Sequence, residues 1–306
     1  MNYPQIRLLL WFCILGICGL VACQETVTKT TPSITAKNLA NSTADRPISS
    51  ASVPVTNVKA EHQMLVGAWL NVAYTDALRQ SHSPREAHGH WGPSGITELL
   101  LYARNSLSDS LVVNLLYNNH EGASPYFIIA KSGAKVFAMN AFAEGDTTEM
   151  KLRYKVGQSD TLLYVEARDA KTHRIINTAF RKLRGFVVKN DTLETPLAYF
   201  INQLNFAGTH LMTDSIGHTS LVRFTSTGRV YGWPASRTYQ VNMDFTGPFH
   251  ELNSVFFDVY QKNQREFVFG VYGDTIRFYR THDDTITYQR QRGRLCYTLI
   301  RRGKRN

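Results

Sequence analysis

From residue 65 onward the chain reads as a succession of short apolar segments, each cut off by a turn. Nowhere after residue 23 does it sustain the periodicity of a long helix. The first set of strand-like segments covers 65–72, 96–102, 111–117, 126–130, 136–142, 148–156, 162–167 and 175–183. Their separators are turn-rich, as in Asn118-Asn119 and Gly157-Gln158-Ser159-Asp160. Lys151, Arg153 and Lys155 alternate with Met150, Leu152, Tyr154 and Val156, the pattern of a half-buried strand. A second set covers 220–226, 229–233, 239–245, 255–260, 266–272, 275–279 and 295–301. It has hairpin turns at Thr227-Gly228 and Gly273-Asp274, and 285–290 is a further strand candidate. Between the sets, 185–204 holds Asn190-Asp191 and Pro196 and allows a short helix over 197–204, with Leu197, Phe200, Ile201 and Leu204 on one face. The fold class expected is all-β: two consecutive antiparallel strand meanders over 62–184 and 205–306, joined by the linker 185–204.

The first 22 residues carry a different signal. Arg7 is the only cation before an apolar run from Leu8 to Ala22, which ends in small residues, as secretory signals do. The run is shorter than the ~20 residues a membrane span needs. Leu20-Val21-Ala22-Cys23 resembles the bacterial lipobox. That resemblance implies removal of 1–22, acylation of Cys23 and a mature protein held on the cell envelope by its N-terminal lipid. Gln24 is not the aspartate that such proteins use for retention at the inner membrane, so the outer membrane is expected. The segment 23–61 is rich in Thr, Ser, Ala, Pro and Asn and is expected to be a disordered tether.

Cysteine usage agrees with that reading. Cys13 and Cys18 would leave with the signal and Cys23 would carry lipid, so Cys296 alone remains and no intrachain disulfide can form. Stability must then come from apolar burial. The formal net charge is +10. Arg277, Arg280, Arg290, Arg292, Arg294, Arg301, Arg302, Lys304 and Arg305 crowd the end of the chain against Asp283 and Asp284, giving a basic surface around Arg290, Arg292 and Arg294. Export argues against a nucleic-acid partner.

The two strand sets share a plan. Each opens on a glycine-containing strand and closes on an apolar strand followed by cations. Leu65-Val66-Gly67-Ala68-Trp69 parallels Asn205-Phe206-Ala207-Gly208-Thr209 in role. Gly67-Ala68-Trp69 matches the Gly-x-Trp of lipocalin-like (calycin) first strands. The segments 273–279 and 297–301 look like the end of small bacterial lipocalin-like lipoprotein domains. In the second set the position of the tryptophan falls on His210 or Thr209. The resemblance implies up-and-down barrels, a first-strand tryptophan at the closed end, and interiors that hold apolar small molecules.

Catalytic patterns are absent: there is no Gly-x-Ser-x-Gly, no phosphate-cradling loop, no His-Glu-x-x-His and no paired cysteines. No cofactor is expected. Two constellations remain. His82, His88 and His90 sit in the polar stretch 75–95; in an extended loop His88 and His90 point to one side and can offer two ligands to zinc or copper. Phe224, Tyr231, Trp233, Tyr239, Phe257, Phe267, Phe269, Phe278 and Tyr297 either line an apolar cavity or fill a small barrel. The expected function is non-catalytic binding of an apolar or amphipathic small molecule. The alternative is an interaction lipoprotein with filled barrels and a basic partner-binding surface.

Overall fold

The computed structural model describes residues 63–103, 111–117, 121–122, 126–133, 135–140, 150–158, 160–168, 172–186, 195–234, 236–247 and 249–303. The expected signal segment 1–22, Cys23 and the expected tether 23–61 lie outside the described residues.

Alternating apolar residues and intervening turns produce two antiparallel sheets. The first contains β1 (Gly67–Asn71), β2 (Ile96–Ala103), β3 (Leu111–Tyr117), β4 (Glu121–Gly122), β5 (Tyr126–Gly133), β6 (Val136–Asn140), β7 (Met150–Val156), β8 (Thr161–Arg168) and β9 (Ile175–Lys182). Pairing runs β1–β2–β3–β5–β6–β7–β8–β9 and returns from β9 to β1, so eight strands close a ring and β4 hangs on β3. The second contains β10 (Gly208–Asp214), β11 (Thr219–Phe224), β12 (Val230–Tyr231), β13 (Tyr239–Val241), β14 (Ser254–Phe257), β15 (Arg265–Tyr272), β16 (Thr275–Asp284) and β17 (Gln289–Arg302). Its sheet edges are β12 and β13. They meet through the Arg229–Thr238 bridge and the bonds from Val230 N to Arg237 O and Tyr239 N to Gly228 O. Asp258 fastens this seam by accepting from the Arg237 and Thr238 backbones at 3.0 and 3.1 Å. Burial works against its charge, but those N–H groups overcome it and hold the carboxyl below its usual range. The all-β, up-and-down plan expected from the sequence is the one observed. The further strand candidate 285–290 is instead largely the turn between β16 and β17.

Each ring begins with the same device. Gly67 and Gly208 have φ of +129° and +133°, a region that disfavours a side chain. Two residues on, Trp69 Nε1 donates to Leu65 O and His210 Nε2 donates to Phe206 O, each at 2.8 Å. A cation from the last strand lies across each glycine. Lys182 donates to Met64 O at 2.8 Å and sits 5.7 Å from the Trp69 ring centre, while Arg301 donates to Ala207 O and to Asn205 O. A Cβ added at either glycine would crowd that cation, at 3.0 and 2.8 Å. The true match of the two halves is therefore Gly67 with Gly208 and Trp69 with His210, one residue later than the alignment by role. Trp69 thus meets the Leu65 carbonyl with the one polar group of its ring.

The polar stretch after β1 is not an extended loop. It forms α1 (Val72–Ser81) and α2 (Pro84–Ala87). Asn71 caps α1 by accepting from Tyr74 N, and its amide donates to Trp91 O and Ile96 O at 2.9 Å each. Ser83 caps α2 by accepting from Glu86 N, with Pro84 in the first turn. A third helix, α3 (Pro196–Asn205), fills the expected 197–204 position and touches β1, β2 and β13.

The helices tie the rings together. Tyr74, Leu78 and Ala87 join Leu197, Phe206 and the interior of the second ring in one apolar cluster, and the described residues belong to one compact unit. Each fully buried Tyr or Leu in that cluster contributes roughly 1.5–3 kcal/mol. Replacing Asn71 with Ala removes a cap and strands two carbonyls, so a loss of about 2 kcal/mol is expected in urea unfolding. An unchanged midpoint would show that water replaces the amide at no cost.

Candidate functional site

Burial alternates along the second ring's strands, which decides what each aromatic does. Phe224, Trp233, Tyr239, Phe257, Phe267, Phe269 and Phe278 are buried and point inward, where they meet one another. Trp233 stacks on Phe257 at 4.4 Å and meets Tyr297 at 4.8 Å; Phe224 meets Tyr239 at 5.0 Å. Phe206, which follows α3, enters the same assembly and contacts Phe269 at 5.0 Å. This is the filled arrangement, with ring centres in the range of favourable aromatic pairs. Tyr231 does not belong to it: its side chain is half exposed and Arg223 lies over its ring at 4.9 Å. Two clefts of about 280 and 300 Å³ occur elsewhere. One is lined by Val241, Met243, Phe256 and Tyr260; the other, lined by Thr213, Leu295, Cys296 and Thr298, has Tyr297 at its wall.

The first ring has a different lining. Leu99, Leu101, Val113, Leu115, Leu163 and Val165 are buried there beside Trp69, Phe137, Tyr154 and Phe180.

The three histidines do not converge. His82 sits at the left-handed C-cap of α1, and its Nδ1 is 3.0 Å from Asn205 Oδ1. Asn205 Nδ2 returns a bond to His82 O at 3.1 Å, so His82 is a joint between α1 and α3. His88 packs edge-on against Trp91 at 4.6 Å and Phe245 at 5.4 Å, and His90 is exposed. The expected geometry required an extended loop, and α2 with its following turn separates the rings instead. Among the described residues no group of three His, Cys, Asp or Glu side chains is placed to hold a metal ion.

The basic surface also differs from its sequence reading. The Arg290 side chain is only 10% exposed. It is held by Asp283 at 2.8 and 3.1 Å and by Glu266. The Arg290 bond keeps the Asp283 carboxyl below its usual range, whereas burial raises that of Glu266 against the pull of Arg290. Arg292 lies over Tyr279 at 4.6 Å and donates to the Tyr272 hydroxyl at 3.3 Å. Arg290 is therefore structural, whereas Arg292 and Arg294 are exposed.

A second set of exposed cations, Arg223, Arg302 and Arg277, lies on the outward positions of β11, β17 and β16, which flank β10 or follow from it in the sheet and alternate with buried Val222, Leu299 and Ile276. Leu221, Leu211, Ile300 and Thr275 align in register across the four strands. Arg223 and Arg302 lie one outward step to one side, and Arg277 one step to the other. The strand alternation held the signal for this face, but the pairing partners were needed to read it.

A buried carboxyl sits where the first ring meets α3. Glu98 on β2 is fully buried; its Oε2 accepts from Leu197 N in the first turn of α3 at 2.8 Å, while its Oε1 has no partner among the described residues. Desolvation raises its pKa to about 7, against the hydrogen bonds to the Leu197 backbone and the Thr195 side chain.

No family model matches the chain, and no curated protein matches it.

Proposed function

We propose that the protein is a lipid-anchored, non-catalytic component of the bacterial cell envelope whose second barrel is a solid body that works through its outer surface. The observation that carries this reading is the mutual contact of the inward aromatic rings from Phe224 to Tyr297. A cup needs those faces free for a ligand. Leu20-Val21-Ala22-Cys23 supports the anchor. The closed ring of eight strands with the Gly67–Trp69 device supports a lipocalin-like reading of the barrels. A second reading keeps the small-molecule function but moves it to the first barrel, whose mostly aliphatic lining suits an apolar guest.

The test has two arms. Radiolabelled palmitate is expected to enter the wild type and not Cys23→Ala; equal labelling removes the anchor. An environment-sensitive apolar dye is expected to show no saturable site that Phe269→Asp abolishes. Saturable dye binding, displaced by a fatty acid and lost in a folded Phe269→Asp protein, would restore the cup in the second barrel.

A further inference from the structure

The outward face of the second barrel has a composition that its fold does not require. Fourteen outward positions lie on five adjacent strands: 219, 221 and 223 of β11; 209, 211 and 213 of β10; 298, 300 and 302 of β17; 275, 277 and 279 of β16; and 270 and 272 of β15, where the face ends at buried Val268. They hold Thr, Leu, Ile, Tyr, Gly and Arg, and no carboxylate. Leu221, Ile300 and Tyr272 are 62%, 48% and 47% exposed. Large apolar side chains left this open in one row across neighbouring strands are unlike singly scattered surface residues. Arg223, Arg277 and Arg302 are exposed, and none of them forms a salt bridge among the described residues. Arg223 and Arg277 lie over Tyr231 and Tyr272. The nearest acidic residues by register, Asp214 and Asp274, lie at the strand ends; Asp214 accepts from Ile216 N and His218 N of its own turn.

We infer that the outward face of β11, β10, β17 and β16 docks on an anionic lipid bilayer. Charge complementarity selects the occupant: the face offers cations without any opposing carboxylate, so it matches a surface of phosphate head groups. The apolar row selects a bilayer over a soluble polyanion. Leu221, Leu211 and Ile300 gain only if they leave water, and the head-group boundary accepts them while arginines reach the phosphates and tyrosine rings sit between. Four strands span roughly 14 Å between their outer members, a footprint suited to a curved body resting on a plane. The docking deepens the proposed function and rests on its reading of the second barrel as a body that works through its outside. Anchor and face together supply the two signals that stable membrane attachment takes.

The experiment partitions the full-length exported protein onto neutral phosphatidylcholine vesicles and onto vesicles containing phosphatidylglycerol. Any lipid anchor contributes to both, so the ratio of the two reports the face. Wild type is expected to prefer anionic vesicles at least tenfold at low salt. Each of Arg223→Gln, Arg277→Gln and Arg302→Gln is expected to reduce the ratio about fivefold, the factor for roughly 1 kcal/mol per cation near such a surface. Leu221→Asp should lower it further, and Lys262→Gln, away from the face, should leave it unchanged. All these positions are exposed, and unchanged melting curves confirm that the variants are folded. A wild-type ratio near one, or a triple arginine variant that keeps the preference, overturns the assignment. So does tight heparin binding without a vesicle preference, which would give the face to a soluble polyanion. If the anchor reading alone fails, neutral-vesicle binding drops while the ratio persists.

Discussion

Trp69→Ala is expected to destabilise the protein by about 3–5 kcal/mol, the cost of emptying a large buried site that its neighbours cannot collapse into. Trp69 is fully buried at the start of the first ring, paired across the sheet with Leu99 and Lys182. Its indole N–H holds the Leu65 carbonyl, and Lys182 covers the ring while binding Met64 O. Desolvation already lowers the Lys182 pKa, so an ammonium that lost the ring's face would lose part of its compensation. Trp69→Phe separates the contributions. It keeps most of the volume and loses the donor, so a smaller loss of roughly 1–2 kcal/mol is expected. Urea unfolding measures both. A Trp69→Ala loss below 1 kcal/mol would mean that the residue does not pack as described.

The second large effect is electrostatic and depends on pH. Glu98 has its pKa moved from an ordinary 4.5 to about 7 by burial, so the folded protein holds a proton that the unfolded chain releases at lower pH. The folded state binds more protons between those values, so stability falls as pH rises through that window. The contribution is fully present below 4.5 and lost above about 7, at about 1.4 kcal/mol per pH unit, or about 3 kcal/mol altogether. Glu98→Gln keeps an oxygen for Leu197 N and cannot ionise. The variant should match the wild type near pH 4 and exceed it by up to about 3 kcal/mol near pH 8. The difference between the two proteins isolates Glu98 from every other titrating group. If wild type and variant have parallel stability profiles from pH 4 to 8, the carboxyl is solvated and the α3 cap does not depend on its proton.

The sequence after residue 62 determined the class of fold because strand periodicity is local. Met150, Leu152 and Tyr154 on one face of β7, and the Gly273-Asp274 turn before β16, are read within a few residues. Pro196 and the 3.6-residue spacing after it likewise gave α3. The Ser83-Pro84 start and Glu86 announced α2 by capping chemistry, a signal present in the sequence but hidden by the polar composition around it. α1 was harder to see. It carries few apolar residues, and its Tyr74 and Leu78 are stable in a helix because the second ring's core receives them.

Which aromatic residues meet, and which cations are available, only the tertiary structure decided. Phe224 and Trp233 become neighbours through pairings that close a ring, and whether a ring interior is hollow depends on how all its side chains interlock. Arg290 and Arg277 are indistinguishable in sequence, yet one is held by two carboxylates and the other faces solvent over Tyr272. The carboxyl of Glu98 gives no sign of its burial, because α3 reaches it from 99 residues away. Periodicity is a property of adjacent residues. Partner choice, desolvation and charge balance belong to surfaces that the chain assembles from distant parts.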